Sequence, residues 1–448
     1  MIPQPQKKPL ISRKKNIPLT GEISVAGDKS ISHRSLIFAA LAHGESKITG
    51  LLEGEDVLKT AAALRLMGVE IEKKENCWLV NGSGVAGLTE PSDVLDMGNS
   101  GTAARLLAGL VAPYNFTSFF SGDDSLRKRP MGRVFEPIQQ FGAQIISRKN
   151  GLMPFAIIGA KDALPIAYKM KMASAQVKSC ILLASLATRG TTTIIEPEKC
   201  RDHTEIMMRH LGLKIACENL DSGSKISYSG LQEFDAKDFE IPGDISSAAF
   251  LITAALLVEN SHLKIKNIGV NPLRDGVVLT LREMGGKITF INEREIGGEK
   301  VADILVESSK LKGVEVPARR AASMIDEYPI LAIAAANAQG ITKMNGLAEL
   351  KVKESNRLLM IAQNLEACGV ALKMGDDFLE VQGGIKQQKN LVQITTAMDH
   401  RIAMSFLVMG LVMENGLQID DSAMIKTSFP NFEKIFADFK AGFELPQD

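Results

Sequence analysis

The chain has 448 residues, more than one ordinary hydrophobic core accommodates, so two or three domains are expected. Its 45% hydrophobic and 23% charged residues are a globular composition, and 52 Lys plus Arg against 52 Asp plus Glu exclude a global field that would draw nucleic acid or an anionic membrane. Five scattered cysteines (Cys77, Cys180, Cys200, Cys217, Cys368) form no CxxC pair or metal-ligand cluster, and read as reduced thiols in a reducing compartment.

Met1–Lys15 carries Lys and Pro without the apolar core of a signal peptide. No uncharged apolar run reaches the roughly 18 residues of a membrane span, and the longest candidate, Ile245–Val258, suits a buried helix. A cytoplasmic protein is expected. At Gly27–Arg34 (Gly-Asp-Lys-Ser-Ile-Ser-His-Arg) a Gly-Asp pair breaks a strand, and Asp28 or Ser30 can cap an apolar helix over Ile31–Leu41. Helix N-termini attract anions, and Lys29 and Arg34 add two full charges there. The same eight residues also suit an ordinary capped helix with solvated charges.

The pattern recurs. Similar apolar segments begin near Asp28, Asn99, Ser174, Asp244, Asp326 and Asp399, a period of roughly 70–80 residues. They predict helices over Ser32–Ala42, Thr102–Val111, Gln176–Ala187, Ser246–Val258, Tyr328–Ala338 and Ile402–Met413. A second set, Val57–Met67, Val134–Phe141, Thr204–Leu211, Gly276–Met284 and Arg357–Cys368, stops at Gly68, Gly142, Gly212, Gly285 and Gly369, each followed by a strand. The reading is an α/β chain of six β-α-β-α-β-β repeats, the last truncated. Pro242-Gly243 at the midpoint and Gly27 near the start mark crossovers. One domain is expected over 27–243, and the other over 1–26 plus 244–448. Six helix starts facing a common gap would make an anion cleft; six independent buried helices would not.

Cations cluster at these starts: Ser125–Arg133 (Ser-Leu-Arg-Lys-Arg-Pro-Met-Gly-Arg), Arg201-Asp-His-Thr-Glu205, Lys351–Arg357 and Asp399-His-Arg401. Met172–Ser179 offers hydroxyl and amide donors. Two acids stand among them, Asp326 and Glu354, either as ionised structural partners or as proton carriers. Gly82–Gly87 matches GxGxxG, but Thr89-Glu-Pro91 follows where a dinucleotide site needs a helix, so it reads as a turn. His203 and His210 lack a third ligand for zinc.

Asp28–Arg34, Gly98-Asn-Ser-Gly-Thr102, Lys128-Arg-Pro-Met-Gly-Arg133, Ser174-Ala-Gln176, Arg201–Glu205, Met324-Ile-Asp-Glu-Tyr-Pro329, Lys353-Glu-Ser-Asn-Arg357 and Asp399–Arg401, in this order, resemble the motifs of the 5-enolpyruvylshikimate-3-phosphate synthases, closest to the bacterial class II branch. The resemblance implies a two-domain enolpyruvyl transferase-type fold, each domain an inside-out α/β barrel of three repeats closing over a cleft. It implies transfer of the enolpyruvyl group of phosphoenolpyruvate to the 5-hydroxyl of shikimate 3-phosphate, with phosphate release through a tetrahedral intermediate, on the route to chorismate and the aromatic amino acids. No metal or organic cofactor, nucleic acid or membrane is implied, and a monomer is expected.

By the same resemblance Lys29, Ser30, Arg34, Ser174, Ala175, Gln176, Arg201, Asp326 and Lys353 contact shikimate 3-phosphate. Lys29, Asn99, Gly101, Arg129, Gln176, Arg357, Arg401 and Lys426 hold phosphoenolpyruvate. Asp326 is the expected base, with Glu354 and Lys29 as proton donors to carbon. Such a set suits its ligands, since each brings a phosphate of about −1.5 to −2 charge plus a carboxylate, and arginine holds both groups bidentately. Asn356 stands where many relatives carry Asp, Ala175 replaces a serine common in one branch, and Lys426 is offset by one residue from a family lysine. Gly101 leaves the phosphoenolpyruvate pocket open, which implies sensitivity to glyphosate. UDP-N-acetylglucosamine enolpyruvyl transferases resemble this family but carry a reactive cysteine where Phe119–Met131 has none. A phospho-ligand binding protein without catalysis would have no use for Asp326 and Glu354.

Overall fold

The computed structural model describes residues 7–386 and 388–446. The chain divides into two compact units: Gly27–Pro242 with Glu295–Glu299 (the central-segment unit), and the described residues of Met1–Ala26, Gly243–Arg294 and Lys300–Asp448 (the terminal-segment unit).

The central-segment unit holds three four-stranded sheets with one topology. In the first, Phe239–Glu240 runs parallel to His43–Thr49, which pairs antiparallel with Trp78–Ser83 and through it with Glu70–Lys73. The second joins Leu95–Asp96, Thr117–Ser121, Leu152–Ile158 and Gln144–Arg148 in that spatial order. The third joins Ala167–Lys169, Thr191–Glu196, Ser224–Ser229 and Ile215–Asn219. In the second and third sheets a helix, Gly101–Val111 or Ala175–Leu186, connects the two parallel strands, as a parallel pair of neighbours requires.

The first sheet takes its parallel edge strand from the far end of the segment. Asp28 N–H accordingly donates to Pro242 O at 2.7 Å, closing the unit on itself. In the terminal-segment unit the strand Thr20–Ser24 fills the corresponding place, parallel to His262–Gly269, and Asp244 N–H donates to Ala26 O. A second sheet joins Glu315–Val316, Ile341–Asn345, Phe378–Gln382 and Ala371–Met374. The truncated sixth repeat is completed by Leu10–Ser12, which pairs antiparallel with Leu417–Ile419 beside Val392–Ile394.

The two helix types differ because their sequences do. Ile245–Leu257 and Tyr328–Ala336 are apolar around almost the whole circumference and are buried accordingly, while Lys29–Leu41 is as buried although its first turns carry Ser32, His33, Arg34 and Ser35 inward. The second helices are one-sided: Glu55–Leu66 buries Val57, Thr60, Ala61 and Leu64 at the i, i+3, i+4, i+7 spacing and turns Arg65 outward. Gly109 explains how tightly two inner helices approach, since a Cβ there would lie 2.2 Å from Cys180 O on the helix Ala175–Leu186. All five stop glycines adopt positive φ, from 80° to 104°.

Helix bounds fall within three residues of expectation, and five of the six first helices have side-chain caps: Asp28, Ser100, Ser174, Asp244 and Asp399. The fifth repeat departs. Asp326 does not open its helix; the short helix Ala321–Met324 and a turn precede it, and Glu327 occupies the cap position of Tyr328–Ala336 without a side-chain cap bond. Asp326 is thereby released to face other partners. The basic stretch at Ser125–Arg133 contains a one-turn 3-10 helix, Leu126–Lys128, ahead of the helix Gly132–Gln140.

Candidate active site

In the central-segment unit Lys29 is the first residue of its helix, and its ammonium pairs with Asp56. Arg34, just over one turn on, is 3% exposed, which removes it from the solvated-face reading. It donates Nη1 to Ser30 O at 2.8 Å, Nη2 to Ser179 Oγ at 2.6 Å and Nε to Thr204 Oγ1 at 2.7 Å. Burial lowers this guanidinium to about 10, partly offset by the Glu205 and Asp28 carboxylates, so it stays cationic at neutral pH. A buried cation held by neutral oxygens is poised for an incoming anion.

A second group surrounds the start of the helix Gly101–Val111. Asp123 Oδ2 accepts from Asn99 Nδ2 at 2.7 Å, and Asn99 Oδ1 accepts from Arg129 Nη2 at 2.7 Å. Gln176 donates to Thr102 Oγ1 and accepts from Arg105 Nη1, both at 3.0 Å, while Arg105 also donates to Gly101 O. Two guanidiniums converge over Gly101: a Cβ there would lie 2.8 Å from Arg105 Nη1 and 3.2 Å from Arg129 Nη1. Ser174 caps the helix that begins at Ala175, and half-buried Arg201 precedes Asp202 at the head of His203–His210.

In the terminal-segment unit the organising group is Arg357, 1% exposed at the start of the helix Arg357–Ala367. Its Nε donates to Asp399 Oδ2 at 2.8 Å, its Nη1 to Asp326 Oδ1 at 3.1 Å, and its Nη2 to Glu354. Burial alone would weaken the guanidinium, but Asp399, Glu354 and Asp326 outweigh it and hold the cation more firmly than in water. Asp326 Oδ1 also meets Lys353 Nζ at 3.2 Å. Arg401 Nη1 donates to Asp326 O at 3.0 Å and lies 3.4 Å from Glu327 Oε1. Asn356 caps this helix by accepting from Leu359 N–H at 3.2 Å, so it serves as a supporting hydrogen bond.

The structure thus joins Asp326, Lys353, Glu354, Arg357 and Arg401 in one network. Exposed Lys426, on the turn Ala423–Thr427, has no described contact with it. Arg105, Thr204, Asp399 as an orienting acid, and Glu327, which lies 3.4 Å from Arg274 Nη1, escaped the sequence reading, and Ser179 was read only as one of the hydroxyl donors of its stretch. Only Arg105 had a local signal, four residues after Gly101 on one helix face.

The enolpyruvyl transferase NikO from Streptomyces tendae shares this fold, with a TM-score of 0.78 over 99% of this chain and 100% of that one at 17% identity. The class is therefore an enolpyruvyl transferase-type α/β fold. Residues 14–436 match the EPSP synthase (3-phosphoshikimate 1-carboxyvinyltransferase) family, and the chain belongs to it. A 3-phosphoshikimate 1-carboxyvinyltransferase of Paramagnetospirillum magneticum is 54% identical over 96% of each chain, and one of Acidiphilium cryptum is 50% identical over 97% of this chain and 98% of its own. EPSP synthase from Acinetobacter baumannii has a TM-score of 0.86 at 40% identity, covering 99% of this chain and 100% of that one. The chain is a transferase of the shikimate pathway, in a family whose substrates are shikimate 3-phosphate and phosphoenolpyruvate. Among the described residues no helix is long and apolar enough to cross a membrane.

Proposed function

We propose the following division of labour for carboxyvinyl transfer. Lys29, Ser30, Arg34, Ser174, Ala175, Gln176 and Arg201 of the central-segment unit, with Asp326 and Lys353 of the terminal-segment unit, bind shikimate 3-phosphate. Lys29, Asn99, Gly101, Arg129 and Gln176, with Arg357, Arg401 and Lys426, bind phosphoenolpyruvate. The chain crosses from one unit to the other near Gly27 and Gly243, and the two units act as the two domains.

Asp326 takes the proton of the 5-hydroxyl as that oxygen bonds to C2 of phosphoenolpyruvate. Glu354 or Lys29 delivers a proton to C3, giving the tetrahedral intermediate. Elimination reverses the C3 protonation, breaks the C2–O bond to phosphate and releases phosphate. The cations stabilise charge on the intermediate and the leaving group.

One observation carries the assignment: Asp326 Oδ1 lies 3.1 Å from Arg357 Nη1 and 3.2 Å from Lys353 Nζ, with Glu354 on the other end of the same guanidinium. Asp326 thus stands between two cations, and a second acid stands on the shared arginine. A site that only bound anions would gain nothing from two acids among its cations. Phosphate release that requires both substrates, and is lost in Asp326→Asn, tests the reading; release with either substrate alone would refute it. We further infer a cytoplasmic, monomeric enzyme, since its substrates are phosphorylated metabolites and each unit completes its own sheets; sedimentation at micromolar concentration checks the monomer.

A further inference from the structure

Behind Arg34 lies an ionic group to which no substrate role is assigned. Lys178 is 0% exposed, and its ammonium has three acceptors for its three protons: Glu205 Oε1 at 2.7 Å, Glu196 Oε2 at 3.0 Å and Cys200 O at 3.1 Å. Both carboxylates are buried as well. The flanking carboxylates keep Lys178 charged despite burial, while burial pushes the Glu205 carboxyl upward against the pull of Lys178.

The three acceptors are placed to a purpose. Glu196 ends the strand Thr191–Glu196, Cys200 immediately precedes Arg201, and Glu205 lies in the first turn of the helix His203–His210. One ammonium therefore fixes both ends and the middle of the segment that presents Arg201. The neighbours matter equally. Lys178 and Ser179 are consecutive, as are Thr204 and Glu205, so the ion pair is one rung and the contact Ser179 Oγ···Thr204 Oγ1, at 2.7 Å, is the next. Arg34 donates to both hydroxyls of that second rung. The spacing that lets one guanidinium reach both oxygens is set next door by the Lys178–Glu205 pair.

We propose that Lys178 and Glu205, with Glu196, are positioning residues for shikimate 3-phosphate: they hold the segment 196–205 against the helix Ala175–Leu186 so that Arg34 and Arg201 present a fixed anion cradle. This rests on the reading above that Arg34 and Arg201 bind that substrate. A buried ion group is an expensive way to fill volume, because apolar side chains of similar size pack there at lower desolvation cost. Its three directed bonds supply what apolar packing lacks, a defined distance and angle.

The test separates positioning from stability. Lys178→Met alone leaves two carboxylates buried without their cation, so the decisive variant removes all three charges together: Lys178→Met, Glu196→Gln and Glu205→Leu. This triple variant is expected to fold with a thermal midpoint near that of the parent, while its Kd for shikimate 3-phosphate, read by titration calorimetry, rises about tenfold or more, since misplacement of a binding group on the ångström scale carries such losses. The KM for phosphoenolpyruvate at saturating shikimate 3-phosphate should change less than about threefold. Glu205→Gln, which keeps an acceptor for Lys178, should bind closer to the parent than Glu205→Leu. A folded triple variant with parental affinity overturns the proposal. If the triple variant does not fold, equal affinities for Glu205→Gln and Glu205→Leu overturn it and a gap between them supports it. Arg34→Met serves as control: undiminished affinity there defeats the substrate assignment itself, whereas loss in Arg34→Met with none in the Lys178 and Glu205 variants defeats only the positioning role.

Discussion

Asp326 and Arg357 are joined through Oδ1 and Nη1 at 3.1 Å, and the rest of the same guanidinium is taken by Asp399 and Glu354. Arg357 therefore couples the two acids assigned to proton transfer. A change at either acid is felt by the other through the arginine they share.

Asp326→Asn retains the shape of the side chain and an acceptor oxygen but no basic carboxylate. Turnover should fall by about 10²–10⁴ while shikimate 3-phosphate binding persists, because a general base contributes about that much. Steady-state rates with calorimetric binding of shikimate 3-phosphate check it, and unchanged turnover removes Asp326 from the base role.

Arg357→Lys keeps the charge and loses the fork. One ammonium cannot reproduce the Nε, Nη1 and Nη2 geometry toward Asp399, Asp326 and Glu354. The expected outcome is a loss of about 10²-fold or more in kcat/KM for phosphoenolpyruvate together with a lower thermal midpoint, since a buried carboxylate is left underpaired. Parental kinetics in this variant would show that charge alone suffices.

Gly101→Ala places a methyl group against the ends of two flexible arginines, 2.8 Å from Arg105 Nη1 and 3.2 Å from Arg129 Nη1. Those ends can move, so the fold should survive. The guanidiniums would be pushed from their present positions, and KM for phosphoenolpyruvate should rise severalfold with the Kd for shikimate 3-phosphate unchanged. Equal effects on both substrates would argue against separate subsites.

His33 lies wholly inside, with Nδ1 2.7 Å from Thr60 Oγ1, and burial, aided by Lys29 and Arg34, holds its imidazole well below the ordinary 6.5. The unfolded chain takes up that proton below about pH 6.5 while the folded one does not, so stability is fully present above 6.5 and declines as pH falls toward the folded value. The slope from this one group is at most about 1.4 kcal/mol per pH unit. Thermal midpoints at pH 5–7 for the parent and for His33→Asn check it; identical pH slopes would assign the acid sensitivity elsewhere.

Helix and strand order, the sixfold period, the glycine stops and the family motifs were readable in the chain because each depends on neighbours in sequence: apolar spacing, a cap three residues ahead of its amide, a glycine with positive φ. Asp28 was legible for that reason as one of two candidate caps, with Ser30, and the structure gives the cap to Asp28. The entry to the fifth repeat was not legible, because there the short helix Ala321–Met324 and a turn precede the apolar helix, whose cap position falls to Glu327 with no side-chain cap bond to announce it.

The partners of the charged groups lay further still from local reading. Arg34 meets Ser179 and Thr204 across separations of 145 and 170 residues, and Arg105 meets Gln176 across 71. By itself, then, the sequence determined which residues carry charge and at which helix starts they stand. Tertiary structure alone decided which acid each cation faces and how much water remains around it, because Coulomb attraction and desolvation depend on distance and burial in space, and neither is a function of position along the chain.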